Sequence, residues 1–132
     1  MAVIRLRKLY QRQKATGSDV CSMMISLLAS RGFDPDAAST IAEAVEKAAG
    51  QDFDLYIIDD YYSDGTNREL IRRLWSLTPS VPVLVFSTQD FLESRRAALE
   101  AGAADYLVQP GDIFDLTNAV VRLCGPAPAV RR

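Results

Sequence analysis

Short apolar runs that do not alternate with polar residues are the feature of this 132-residue chain that most restricts its fold. Leu55–Ile58 and the run VPVLVFS at residues 81–87 are continuously apolar. Such a strand is buried on both faces, as strands are in a parallel sheet that is covered by helices. Parallel strands need long crossover connections, which are usually helical. The two runs therefore predict an α/β domain with helices on both faces of a parallel sheet.

Helical patterns separate the predicted strands, since apolar residues recur at intervals of three and four. We predict five helices with apolar positions within Val20–Leu28, Ile41–Ala48, Leu70–Leu77, Leu92–Leu99 and Ile113–Leu123. We predict five strands at 2–10, 33–39, 55–58, 81–87 and 104–109. Pro35 cannot donate a ladder hydrogen bond, so the strand at 33–39 is expected at a sheet edge.

Several helix ends carry recognisable signals. Ser18 or Asp19 is expected to cap the first helix, which Gly32 ends. Thr66 and Glu69 have the spacing of a capping box. Asp90 and Glu93 offer a similar cap to the fourth helix, and Asp112 is expected to open the last one. The fourth helix has a thin apolar face, so we expect it to be loosely docked.

Composition excludes several classes of function. The net charge of −2 is too small to indicate nucleic acid or a membrane as the main partner. The chain contains no histidine, which excludes a histidine general base, metal ligand or phosphohistidine within it. Cys21 and Cys124 form no CxxC motif, and we interpret both as reduced core residues of a cytoplasmic protein. No apolar run approaches the ~20 residues of a membrane helix.

The length of the chain fits one domain with one core. We place that domain at residues 1–124 and treat 125–132 as a short tail. Residues 1–17 form a basic, atypical first strand and loop, with five Lys or Arg and no acid in the first 14 residues. We interpret this segment as a solvated arm or a charged edge strand, because a nucleic-acid contact would need a stronger basic footprint.

Two adjacent carboxylates, Asp59 and Asp60, directly follow the strand at 55–58. In an open parallel sheet, ligands gather at the carboxyl ends of the strands. Ser87 ends the next strand, and Gln109 ends the last one. Neighbouring residues of a strand point to opposite faces, so Asp59 and Asp60 are not expected to act as a pair. A carboxylate in Asp59's position suggests function, because no structural role at that end of the sheet explains it.

Four segments in the same order resemble response regulator receiver domains of the CheY-like type. They are FDLYIIDDYYSDGTNRELIRRL, PVLVFST, ALEAGAADYLVQP and DIFDL, and the resemblance extends over roughly residues 18–124. It implies a flavodoxin-like, doubly wound (βα)5 fold with a parallel five-stranded sheet in the order 2-1-3-4-5. That order is compatible with an edge position for the strand that contains Pro35.

The resemblance also implies roles for individual residues in a two-component phosphorelay. Asp59 matches the aspartate that a partner histidine kinase phosphorylates. Ser87 matches the hydroxyl that holds a phosphoryl oxygen and couples to an aromatic side chain, here Tyr106. Pro110 matches the cis-proline that follows a lysine. Mg²⁺ would be held by Asp59, an acidic pair after the first strand and the backbone carbonyl of Tyr61.

Two of the matching positions depart from the family pattern. The acidic pair falls at Ala15 and Thr16, and Gln109 stands at the lysine position. Mg²⁺ prefers one or two carboxylates, so we expect Mg²⁺ binding to be weak or absent. An amide at position 109 brings no positive charge to a phosphoryl oxygen. The site would therefore lack much of the electrostatic stabilisation that phosphoryl transfer needs.

These departures favour a stand-alone pseudo-receiver that acts by protein–protein contact and is not an enzyme. The alternative is a phosphorylatable receiver with an altered Mg²⁺-dependent site. A phosphatase with an aspartate nucleophile is a minor alternative, because such enzymes carry a DxD pattern and this chain has adjacent aspartates. The expected partner is a sensor histidine kinase or another signalling protein. The face formed by the fourth helix, fifth strand and fifth helix is the expected contact surface, including that of a homodimer.

Overall fold

The computed structural model describes residues 26–36, 38, 40–59, 61–108 and 111–124. Helix α1 is described over residues 26–30, and a short 3-10 helix at Ile113–Asp115 precedes the last α-helix. The other helices are α2 (Ile41–Gly50), α3 (Asn67–Leu77), α4 (Leu92–Ala101) and α5 (Leu116–Cys124). The strands are β1 (Tyr56–Ile58), β2 (Tyr61–Tyr62), β3 (Gly65–Thr66), β4 (Val83–Ser87) and β5 (Asp105–Val108). No described helix has the length and apolar character required to span a bilayer.

The described sheet is parallel, in the order β1-β4-β5. Ile58 pairs with Val85, and Ser87 pairs with Val108. The predictions of parallel strands at 55–58, 81–87 and 104–109 are thereby confirmed, with small differences at their ends. The predicted first strand at 2–10 lies outside the described residues.

The strand predicted at 33–39 is not formed at residues 33–36 or 38, so that prediction is wrong for the part of the segment that the structure describes. Pro35 lacks the N–H group that a ladder needs. The segment is held by side chains instead, because the ammonium of Lys47 in α2 lies 2.9 Å from the Asp36 carboxylate. This contact with Asp36 raises the pKa of Lys47.

Two apolar cores lie on opposite faces of the sheet, as burial on both sides of β1 and β4 requires. Alternate strand residues supply each core: Ile58 and Val85 face the helices α2, α3 and α4, while Ile57 and Phe86 face α1 and α5. This layering is the one that the continuous apolar runs predicted.

A two-stranded antiparallel hairpin follows β1 and was not predicted. In it Tyr61 pairs with Thr66, and Tyr62 pairs with Gly65. The sequence interval between Asp59 and α3 had suggested only an irregular loop with turn residues. The hairpin matters because it begins two residues after Asp59, at the carboxyl end of β1.

Helix ends agree with the predictions in part. The N–H groups of Gly32 and Phe33 donate to the carbonyls of Ala29 and Leu28, and Gly32 has a φ of 89°, which together form the expected end of α1. The Thr66 hydroxyl accepts the Glu69 N–H at 3.3 Å, as the capping box predicts.

The predicted cap of the first helix, Ser18 or Asp19, lies outside the described residues, and the predicted start of α4 is wrong. Helix α4 begins at Leu92 after Phe91, and no side chain caps it, so Asp90 is not its cap. Asp112 directly precedes the 3-10 turn that continues into α5, and its carbonyl accepts the Asp115 N–H, so it opens the final helical segment as predicted. The Asp112 carboxylate also accepts the Val108 N–H at 2.9 Å.

Exposure along α3 and α4 differs from the apolar patterns. Leu70, Ile71 and Leu74 of α3 are buried, whereas Trp75 is 55% exposed. In α4 only Ala98 is buried among the described residues, and Leu92 is 69% exposed. The apolar contact of α4 is thus even smaller than the sequence predicted.

Candidate functional site

Asp59 immediately follows β1 and is 1% exposed. Within the described part of the chain, Asp59 and Ser87 are the buried polar residues of the core. Each stands at the carboxyl end of its strand, and the strands β1 and β4 are neighbours in the sheet. Two of the residues that the sequence predicts at the carboxyl ends of strands, Asp59 and Ser87, therefore lie at the ends of adjacent strands.

The backbone of Asp59 is tied to the hairpin. Its N–H donates to the hydroxyl oxygen of Tyr62 at 3.2 Å, and the Tyr62 side chain is 5% exposed. A buried N–H group needs an acceptor. Here the acceptor is the hydroxyl of Tyr62, three residues later in the chain. Tyr62 is a site residue that sequence reasoning missed.

The hairpin is in turn tied to α2. The Asp64 carboxylate accepts the Ile41 N–H at 2.8 Å and the Ala42 N–H at 3.0 Å, at a helix start that Thr40 also caps. These bonds lower the pKa of Asp64, and the bond from Ile41 has the largest effect. Gly65 has a φ of 158°, and a Cβ there would lie 2.7 Å from the Ile41 Cδ1 atom. Sequence reasoning treated Asp64 and Gly65 as ordinary turn residues, so it missed this contact.

Ser87 is fully buried, and its hydroxyl oxygen accepts the N–H of Gln89 at 2.8 Å. The hydroxyl is therefore oriented by the loop that follows β4. Ser87 lies on the same face of the sheet as Tyr106, because Val85 pairs with Tyr106 and alternate residues share a face.

Tyr106 is 3% exposed, and its hydroxyl donates to the Gln89 carbonyl at 2.7 Å. The Arg95 guanidinium lies over its ring, 5.2 Å from the centroid. Arg95 also donates from Nη1 to the Tyr106 carbonyl at 3.3 Å. Gln89 thus joins Ser87 to Tyr106, and Arg95 covers the ring from α4.

A cleft of about 360 Å³ lies beside Tyr106, between the first turns of α3 and α4. Asn67 and Arg68 line one side, and Glu93 and Ser94 line the other. The lining is of mixed charge and does not by itself indicate a ligand.

The predicted site residues fall into two groups. Asp59, Ser87 and Tyr106 lie at or near the carboxyl edge of three neighbouring strands. Tyr61 is the first residue of β2 and comes two residues after Asp59 in the chain. The remaining predicted positions, Ala15, Thr16, Gln109 and Pro110, are outside the described residues.

The described residues do not complete a magnesium site. No three His, Cys, Asp or Glu residues among them are grouped so that they could hold a metal ion. Asp59 is the carboxylate that β1 brings to the carboxyl edge, and Mg²⁺ needs six oxygen ligands in near-octahedral geometry. Ala15 and Thr16, which we predict at the positions of the acidic pair, have no carboxylate side chains.

The known proteins that are similar to this chain include response regulators and receiver domains. The sequence profile of the response regulator receiver domain matches residues 17–121. The transcriptional regulatory protein ZraR of Escherichia coli (strain K12) is 29% identical over 96 residues, which are 73% of this chain and 22% of ZraR. The chain thus spans about a fifth of the length of that relative.

Two solved structures are similar in fold. A receiver domain protein (CheY-like) from Methanospirillum hungatei JF-1 has a TM-score of 0.79 at 20% identity, covering 89% of this chain and 91% of that one. The receiver domain of the sensor histidine kinase PA1611 from Pseudomonas aeruginosa PAO1, with a magnesium ion coordinated in its active site cleft, has a TM-score of 0.77 at 21% identity. That match covers 92% of this chain and 98% of the other. At these identities the likeness concerns the fold.

Proposed function

The chain belongs to the response regulator receiver domain family of two-component signalling, and from that premise we propose that it is a pseudo-receiver. In this proposal the domain transmits a signal by protein–protein contact, and phosphorylation of Asp59 is not what switches it. It has no enzymatic activity of its own. Its partner is a sensor histidine kinase or another signalling protein, and the contact surface is the face of α4, β5 and α5.

One observation carries the proposal: the hydroxyls of Ser87 and Tyr106 are both bonded to the backbone of Gln89. In the family, Ser87 would bond a phosphoryl oxygen, and Tyr106 would respond to it. Here both hydroxyls already have backbone partners within the domain. The backbone of Gln89 thus links the end of β4 to Tyr106 of β5 through bonds made within the domain.

The chemistry at the acceptor supports the same proposal. Transfer of a phosphoryl group relies on positive charge around the equatorial oxygens. Ala15, Thr16 and Gln109 supply neither carboxylates for Mg²⁺ nor an ammonium group. The domain therefore keeps the acceptor but lacks much of the charge that makes it reactive.

A second candidate function is slow phosphorylation at Asp59. It is favoured by the positions of Asp59 and Ser87 at the carboxyl ends of adjacent strands, where the family has its acceptor and its hydroxyl. The PA1611 receiver domain holds magnesium in its cleft, and an equivalent ion here would have Asp59 and the Tyr61 carbonyl as ligands.

The two candidates are separated by incubation with acetyl phosphate and Mg²⁺, followed by intact-mass measurement. A pseudo-receiver gains no mass. A gain of one phosphoryl group that disappears in Asp59→Asn and persists in Asp60→Asn would contradict our proposal. The Asp60 variant is a matched control, because it removes the adjacent carboxylate and leaves the candidate acceptor intact. Magnesium titration by calorimetry on the same proteins tests the metal independently of transfer.

A further inference from the structure

Apolar packing holds α4 to the rest of the domain only weakly. Among its residues Ala98 alone is buried, while Leu92 and Leu99 are exposed. Its first turn has no side-chain cap. Polar contacts must therefore fix the N-terminal half of α4 against β5.

Arg95 supplies two such contacts, and both are made with Tyr106. Its guanidinium lies over the face of the ring, where the quadrupole attracts a cation. The same group donates to the Tyr106 carbonyl. A planar guanidinium can stack and donate at the same time, which a compact ammonium does less well.

The hydroxyl end of Tyr106 is hydrogen-bonded to the loop after β4. The tyrosine hydroxyl donates to the Gln89 carbonyl, while the Gln89 N–H donates to Ser87. The Gln89 side chain accepts a hydrogen bond from Ser94 of α4 at 3.0 Å. The Tyr106 side chain thus contacts this loop through its hydroxyl and the guanidinium of Arg95 through the face of its ring.

We propose that Arg95 is a positioning residue that keeps the Tyr106 ring buried. By doing so it holds α4 and β5 in one arrangement, and with them the surface that a partner contacts. The inference deepens the proposed function and rests on it for its meaning in signalling. The position of Tyr106 can be measured without any phosphodonor.

Loss of the guanidinium removes both the attraction to the ring and the bond to the Tyr106 carbonyl. The Gln89 bond and the sheet still favour the buried ring, so we expect a shift in population and not a complete reversal. A cation over an aromatic ring at a partly exposed site corresponds to a shift of about fivefold in the ratio of exposed to buried ring.

The test uses the full chain with its tyrosine rings isotope-labelled, and it assigns the Tyr106 ring signal by its absence in Tyr106→Phe. A soluble paramagnetic agent then reports how exposed that ring is. The variants are Arg95→Gln, which removes the charge, and Arg95→Lys, which keeps it. Arg96→Gln is the matched control, because Arg96 is the next residue of the same helix and is exposed.

We expect paramagnetic broadening of the Tyr106 ring to rise about fivefold in Arg95→Gln, less in Arg95→Lys and not at all in Arg96→Gln. Amide hydrogen exchange in α4 should rise in the same order, while exchange at Leu70 and Leu74 in α3 stays at the wild-type rate. Equal ring protection in Arg95→Gln and wild type would overturn the inference, as would equal broadening in Arg95→Gln and Arg96→Gln.

The outcome for the proposed function is separate. If acetyl phosphate and Mg²⁺ phosphorylate wild-type Asp59, the pseudo-receiver proposal fails. The comparison of Arg95→Gln with Arg96→Gln, made without a phosphodonor, still decides whether Arg95 positions Tyr106.

Discussion

The hydroxyl oxygen of Tyr62 accepts the backbone N–H of Asp59 at 3.2 Å, so the residue after β1 is held by the hairpin that follows it. A second buried tyrosine, Tyr56, lies at the other end of the same strand, and its hydroxyl is bonded to the Thr78 hydroxyl at 2.9 Å. A tyrosine hydroxyl is thus hydrogen-bonded at each end of β1, that of Tyr56 from its first residue and that of Tyr62 to the residue after its last.

This pair gives a matched test of the hairpin. Tyr62→Phe leaves the buried Asp59 N–H without its acceptor, and we expect it to cost about 1–3 kcal/mol of unfolding free energy in urea. Amide hydrogen exchange at Asp59 should accelerate in Tyr62→Phe but not in Tyr56→Phe. Unchanged protection of the Asp59 amide in Tyr62→Phe would show that the hairpin does not hold it.

The Asp64 carboxylate predicts a pH dependence of stability. Bonds from the first N–H groups of α2 lower its pKa in the folded state, so the charged form stabilises the fold at pH values above its unfolded pKa of about 4. That contribution is lost as the pH falls through the lowered folded pKa. Asp64→Asn should therefore unfold at a lower temperature than wild type at pH 7, and the difference should shrink in acid.

Thermal unfolding of wild type and Asp64→Asn between pH 7 and pH 2 checks this expectation. Asp90→Asn serves as the control, because Asp90 is an exposed carboxylate that caps no helix. A difference between wild type and Asp64→Asn that stays constant with pH would contradict the electrostatic explanation.

Restoring the charges missing from the family pattern should restore reactivity at Asp59. We expect the triple variant Ala15→Asp, Thr16→Asp and Gln109→Lys to bind Mg²⁺ and to accept a phosphoryl group at least ~10-fold faster than wild type, since electrostatic groups of this kind contribute that much or more. The measurements are calorimetry and the rate of mass gain. The control replaces Gln109 by Met, which keeps length and adds no charge; an equal rate in both variants would refute the electrostatic argument.

Phe86 and Phe114 allow the effect of truncating a buried phenylalanine to be compared with that of an exposed one. Phe86 is fully buried in the core against α1 and α5, so Phe86→Ala should lower the free energy of unfolding by about 3–5 kcal/mol. Phe114 is 85% exposed, and Phe114→Ala should change the free energy of unfolding by less than ~0.5 kcal/mol. Urea unfolding measures both, and a large effect at Phe114 would mean that its ring is covered in solution.

The sequence predicted those strands and helix caps whose residue pattern lies within the element itself. The runs that became β1 and β4 are apolar at every position, because each residue is buried on one face or the other. The Thr66 cap was predicted because it joins residues three apart. The placement of Asp59 and Ser87 at strand ends followed from the strands themselves.

Other features depended on contacts between distant residues. Asp64 meets the start of α2 from 22 and 23 residues away in the chain, so no local motif marks it as a cap. Arg95 is an ordinary helix residue in sequence, and it becomes part of the site because α4 packs beside β5. Asp90 has the residue type of a cap, but the chain enters α4 at Phe91 and leaves Asp90 outside the cap position.

By itself, the sequence determined that parallel strands are buried between helices and that a carboxylate and a hydroxyl end two of them, because burial imposes a residue pattern that can be seen locally. Only the tertiary structure decided that Tyr62 holds Asp59, that Asp64 caps α2 and that Arg95 covers Tyr106. Hydrogen bonds and ring contacts act over a few ångströms, so they form between whichever residues the fold brings that close, regardless of their separation along the chain.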